Sequence, residues 1–182
     1  MNTYKITLIA MLAALAIAGR IALASLPNIQ PVTAIIILTS FWLGPLAGVI
    51  MALLTTTVSN MLLGMGIWTI WQIAAWTVIG LIAGLLGKVW PRLPLWALTA
   101  YGVFSGLFFG VVISLTMRTI GQPFWAYYLA GLPFDLNHAV ANAVFILALS
   151  PILAKLFKKY EKRNGLKETT SPQSYVGNQT HS

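Results

Sequence analysis

A single acidic residue, Asp135, precedes the C-terminal tail of this 182-residue chain, and His138 follows it three positions later. On a helix that spacing puts both side chains on one face, where they could pair. Asp135 could equally cap a helix start or meet Arg20 of the first apolar segment. None of these makes an enzyme. General acid–base catalysis needs cooperating groups at the substrate, and no second carboxylate is at hand. The chain has no Gly-x-Ser-x-Gly elbow, no His-Glu-x-x-His and no Walker A pattern. Serine hydrolysis, zinc proteolysis and P-loop ATP binding are thereby removed. Cys is absent, so disulfides and thiolate sites are excluded, and one Asp with one His is too small a ligand set for a metal. No catalytic residue, metal site or cofactor is expected.

What the chain does carry is binding chemistry. Asn28 and Gln30 stand between Pro27 and Pro31. Each amide can donate and accept, which suits a polar ligand bearing amides or hydroxyls; a stiff turn whose amides satisfy local backbone explains them equally well. Trp68, Trp71, Gln72 and Trp76 recur at helical spacing. Trp alone in such a stripe reads as an interfacial membrane belt, but Gln72 within it and Asn60 nearby turn the reading toward a lined pocket. Asp135, Asn137, His138 and Asn142 follow the aromatic run 124–128, and ionisable groups in a membrane segment mark function by default. The candidate ligand set is Asn28, Gln30, Trp68, Trp71 and Gln72, with Tyr128, Asp135 and His138.

Membrane helices must position these groups. Hydrophobic residues make up 58% of the chain and charged ones 8%, with mean hydropathy +0.83, against roughly 25% charged in a soluble domain. An ordinary cytosolic enzyme and a disordered chain are both excluded. A span needs about 20 apolar residues. The first, 5–24, belongs to an apolar run longer than a signal-peptide core of about 7–15 residues and is read as retained. The stretch 32–63 is too long for one crossing, and Gly44-Pro45 divides it into spans 32–43 and 46–63. Spans 68–87, 95–117 and 133–157 follow, the last after a long connection at 118–132. The expected fold is an all-α bundle of six transmembrane helices over residues 1–159, with a polar, basic and disordered cytoplasmic tail at 160–182.

Of the eleven cations behind the formal charge of +8, six (Lys155, Lys158, Lys159, Lys162, Arg163 and Lys167) fall in the last 28 residues, an end that faces anionic lipid or a cytoplasmic partner and gives no sign of nucleic-acid binding. Lys5, Lys88, Arg92 and the tail cations fall on one side of the bundle and Arg118 on the other. The positive-inside rule then puts both termini in the cytoplasm of a cell-membrane protein. The candidate ligand residues gather at the outer end. On the first span Ala10, Ala14, Ala18 and Ala22 repeat every four residues, a face that lets another helix approach closely, from within the bundle or from a separate protein.

Taken together, these features resemble the substrate-binding (S) components of energy-coupling-factor (ECF) ABC transporters, over residues 5–160. The runs Asn28-Ile29-Gln30-Pro31-Val32-Thr33, Gly44-Pro45-Leu46-Ala47-Gly48 and Gly66-Ile67-Trp68-Thr69-Ile70-Trp71-Gln72 are similar to the branch that handles cobalamin or its precursors. The resemblance implies a subunit that captures a corrinoid or corrinoid precursor outside the cell, as substrate rather than cofactor. It implies partners as well, a coupling membrane protein and two ATPase subunits that alone hydrolyse ATP. They are met through an Ala-x-x-x-Ala face carried here by Ala10, Ala14 and Ala18. A reading of another class is an autonomous proton-coupled carrier using Asp135 and His138. The internal repeat that marks many such carriers is not evident.

Overall fold

A helix that is apolar around its whole circumference is stable only where protein or lipid covers every side, and this chain places one such helix at its centre. The computed structural model describes residues 3–163. It contains α1 (Thr3–Ala22), α2 (Val32–Leu43), α3 (Pro45–Leu63), α4 (Trp68–Val89), α5 (Leu95–Thr119) and α6 (Phe124–Arg163). Among the described residues there is no strand. Eleven of the 12 residues of α2 are buried, and α2 touches each of the other five helices. It stops at Gly44, whose φ of 90° favours a residue without Cβ. Pro45 opens α3 in the first turn, where a missing N–H costs nothing. Lys5 Nζ donates to the Leu43 carbonyl at 2.5 Å, setting a cation at the negative end of the α2 dipole.

The other five helices are long and apolar enough to cross a membrane. Their outward faces expose Met11, Met61, Ile70, Leu85, Phe104 and Val140. Contiguous apolar surface of this kind is foreign to a soluble monomer and suits lipid. The chain is a membrane-spanning helical bundle. Within it small residues allow close crossings, because packing rather than hydrophobicity holds helices together in lipid. At Gly48 of α3 and Gly80 of α4 the backbones meet: a methyl group on either would lie 2.8 Å from backbone atoms of the other.

The last span departs from the sequence reading. The segment 118–132 is expected as a connection, with a helix starting at Pro133. Instead α6 begins at Phe124 and continues through Pro133 and Pro151 to Arg163. A proline removes one hydrogen bond from the ladder, and inside a packed membrane bundle neighbouring helices compensate for the loss. The tail expected from residue 160 therefore starts inside α6; the remainder of it lies outside the described residues.

Gly80→Val should destabilise the detergent-purified protein by the overpacking penalty of about 1–3 kcal/mol, read as a lower unfolding midpoint. Ala74→Val, on the exposed face of α4, should leave it unchanged. Equal midpoints for the two variants would refute the close α3–α4 crossing.

Candidate functional site

At the end of the bundle holding the α1–α2, α3–α4 and α5–α6 connections, polar groups form a network of two hydrogen-bonded clusters that meet where Arg20 lies over Trp76. Thr33, in the first turn of α2, is the hub of the first. Trp76 Nε1 donates to the Thr33 hydroxyl at 2.8 Å, and that hydroxyl lies 2.9 Å from His138 Nε2. His138 Nδ1 lies 2.9 Å from the Asn28 carbonyl. A carbonyl can only accept, so Nδ1 carries the proton and Nε2 accepts from the Thr33 O–H. Every group is then satisfied with a neutral imidazole. Phe109 of α5 packs beside both rings, 4.8 Å from the Trp76 centroid and 5.2 Å from that of His138.

The network reaches outward on two sides. Asn28 has a φ of 60°, a left-handed conformation that Asn tolerates better than most residues, and its Nδ2 donates to the Phe134 carbonyl at 3.1 Å. The proline-bracketed loop is thus tied to α6 by side chain and backbone together. On the far side Arg20 lies over the Trp76 ring at 5.3 Å. It donates to Ser59 Oγ at 2.6 Å and to Asn60 Oδ1 at 3.0 Å. Asn60 Nδ2 in turn donates to Thr69 Oγ1 at 2.9 Å and to Gln72 Oε1 at 2.7 Å.

Two cavities adjoin this network. The first, of about 340 Å³, has Phe109, Ile113, Tyr127 and Phe134 as apolar lining and Asn28, Gln72, Ser114 and Asp135 as polar lining. The second, of about 320 Å³, is lined by Arg20, Ile29, Gln30 and Leu63, and shares Asn28, Gln72 and Phe109 with the first. Each falls at the lower end of the range of small-molecule pockets, about 300–1,000 Å³. Asp135 lies against Gly110 of α5, where a methyl group would overlap its carboxylate.

Of the residues read from sequence, Asn28, Gln72 and Asp135 line the first cavity, and Asn28, Gln30 and Gln72 the second. Trp68 is exposed and Trp71 half-buried, and neither lines these cavities. Tyr128 stacks on Phe124 at 5.7 Å, while its neighbour Tyr127 faces the first cavity. His138 stands behind the wall with both ring nitrogens engaged. The pairings considered for Asp135 do not form: His138 bonds Thr33 and Asn28, and Arg20 bonds Ser59 and Asn60. Nor does Asp135 cap a helix, since α6 opens well before it. His138 and Asp135, the pair that a proton-coupled carrier would use, share no hydrogen bond.

The candidate ligand set read from sequence omits Thr33, Trp76 and Phe109, although Trp76 belongs to the stripe read toward a lined pocket. A hydroxyl and an indole N–H inside apolar helices are a usable signal, because each needs a buried partner; Phe109 offers none. On α1, Ala10, Ala14, Ala18 and Ala22 are all exposed, whereas Leu8, Ile9, Leu12, Ala13 and Ala16 face inward. The bundle itself leaves the small-residue face uncovered.

Thr33→Val keeps the shape of the hub and strands the Trp76 N–H and the His138 Nε2. It should lower the unfolding midpoint, each stranded group costing about 1–3 kcal/mol, and Thr33→Ser should restore most of the loss. Valine and serine variants of equal stability would rule out the hydroxyl as the hub.

Among protein families, the ECF transporter, substrate-specific component, matches residues 4–157. Neither the curated proteins nor the solved structures gave a match. The matched stretch takes in the exposed alanine face, the polar network and both cavities. The chain therefore belongs to the substrate-specific components of ECF transporters, membrane subunits that bind a substrate and are not catalytic.

Proposed function

We propose that this subunit captures a small molecule from the outer side of the cell membrane in its adjoining cavities. It then delivers the molecule by docking on an energy-coupling module of one membrane protein and two ATPases. The observation that carries the reading is the pair of cavities joined at Asn28, Gln72 and Phe109. They lie at the end of the bundle opposite Lys5, Lys88 and Arg92, and the excess of cations at that opposite end supports cytoplasmic termini and an outward-facing site. The exposed stripe of Ala10, Ala14 and Ala18 supports α1 as the docking surface.

The motifs around Asn28 and Trp68 favour a ligand from the cobalamin group, and the cavity volumes favour its smaller members. A whole cobalamin, with corrin ring and nucleotide loop, exceeds either cavity. A ribazole-type precursor does not. In this reading Asn28, Gln30, Gln72 and Asp135 contact the ligand directly and His138 acts by positioning Asn28. Trp68, Trp71 and Tyr128 reach the ligand only when the outer connections shift.

Isothermal titration of the purified chain against cobalamin, cobinamide and a benzimidazole riboside tests the substrate. The riboside should bind tightest, and Gln72→Ala should weaken it by about 1–3 kcal/mol. A chain that binds none of the three yet assembles with the module handles another class of substrate. Docking has its own test. Ala14→Leu should abolish both uptake and pull-down of the module while leaving ligand affinity unchanged, and undiminished pull-down would move the docking surface elsewhere.

A further inference from the structure

Two charged side chains flank the wall shared by the cavities, and the fold neutralises neither. Asp135 is only 6% exposed, lines the first cavity, and has no hydrogen-bond or ion-pair partner among the described residues. Gly110 clears the space its carboxylate occupies. Arg20 lines the second cavity, and its partners among the described residues, Ser59, Asn60 and the Trp76 ring, are all neutral. A guanidinium has five N–H donors, so Arg20 retains donors to spare. Opposite charges held apart and unpaired in a membrane protein are costly unless something else pairs with each. Between them lie flat apolar surfaces, Phe109 and Phe134, and the Gln72 amide, whose oxygen is engaged by Asn60 and whose Nε2 is free to donate.

We propose that the two cavities are halves of one site for a planar, bipolar ligand, with an N–H-bearing end on Asp135 and an acceptor-rich or anionic end on Arg20. This rests on the reading of the chain as a substrate-capture subunit, and it narrows the substrate to a nitrogenous ring carrying an acidic or acceptor group. Asn28 and Gln72, common to both halves, supply the neutral hydrogen bonds between the two ends. Phe109 supplies the surface on which the ring lies.

Benzamidine, benzoate and benzamide share one ring and differ in charge, so they probe the two ends separately. Titrated into the purified full chain in detergent, benzamidine and benzoate should each bind about tenfold more tightly than benzamide, a difference of about 1.4 kcal/mol. Asp135→Asn should erase the preference for benzamidine and leave that for benzoate. Arg20→Gln should do the reverse, and Arg20→Lys should keep the benzoate preference. The bipolar site is overturned if either charged probe binds no better than benzamide, or if a preference survives loss of its own residue. Should Arg20→Gln fail to fold, the parent's selectivity and the lysine variant decide the same question. Assembly with the ATPase module reports on the capture reading independently: a chain that discriminates the probes but never assembles would retain the site and lose that function.

Discussion

The burial of a helix too short to cross the membrane is the constraint from which the rest of this structure follows. At 12 residues, α2 spans about 18 Å of a hydrocarbon core of about 30 Å. It can exist there only if surrounded, and the other five helices surround it. The membrane depth that α2 leaves unfilled is then taken by the segment leading into it. That segment brings Asn28 and Gln30 to the cavities, and the first turn of α2 brings Thr33 to the network. A full-length second helix would have filled this end of the bundle with aliphatic side chains.

Inside that space the protein separates neutral from charged polar groups. Thr33, Trp76 and His138 satisfy one another across α2, α4 and α6, and Asn60 pairs with Thr69 and Gln72 between α3 and α4. A buried network in which every member is paired is rigid and specifies one arrangement. The charges of Asp135 and Arg20 border the cavities, where the protein leaves them without countercharge. The floor of the site is therefore set before a ligand arrives, which reduces the ordering cost of binding.

The sequence makes some of this legible and withholds the rest for identifiable reasons. The break between α2 and α3 is a local backbone event at Gly44-Pro45 and is visible as such. The start of α6 is not, because the strongest local signal, Pro133, is overridden by packing within the bundle. Spacing places Ala10, Ala14 and Ala18 on one face of α1, but periodicity says which residues share a face and never what covers it. The same limit divides the Trp stripe of α4: Trp76 turns inward to Thr33 while Trp68 faces out. His138 shows the limit most plainly. Its nearest ionisable neighbour in sequence is Asp135, yet its partner Thr33 lies 105 positions away, a distance that pattern reading on one chain does not bridge.

One helix connects the uncovered alanine face to the cavity. On α1, Ala10, Ala14 and Ala18 point away from the bundle, and Arg20, just beyond them, reaches inward to Ser59, Asn60 and the lining of the second cavity. The inner face of α1 packs through Leu8, Ile9, Leu12, Ala13 and Ala16, with the Lys5 bond to the Leu43 carbonyl at one end and the Arg20 bonds at the other. Any displacement of α1 at its outer face would carry the Arg20 guanidinium with it. Docking on the alanines and binding at Arg20, as proposed above, would then be two loads on one element. By linkage, whatever one contributes to the position of α1 must appear as a change in the affinity of the other. The ligand affinity of the free chain should differ from that of the docked chain, and equal affinities would mean that α1 stays fixed when its outer face is occupied.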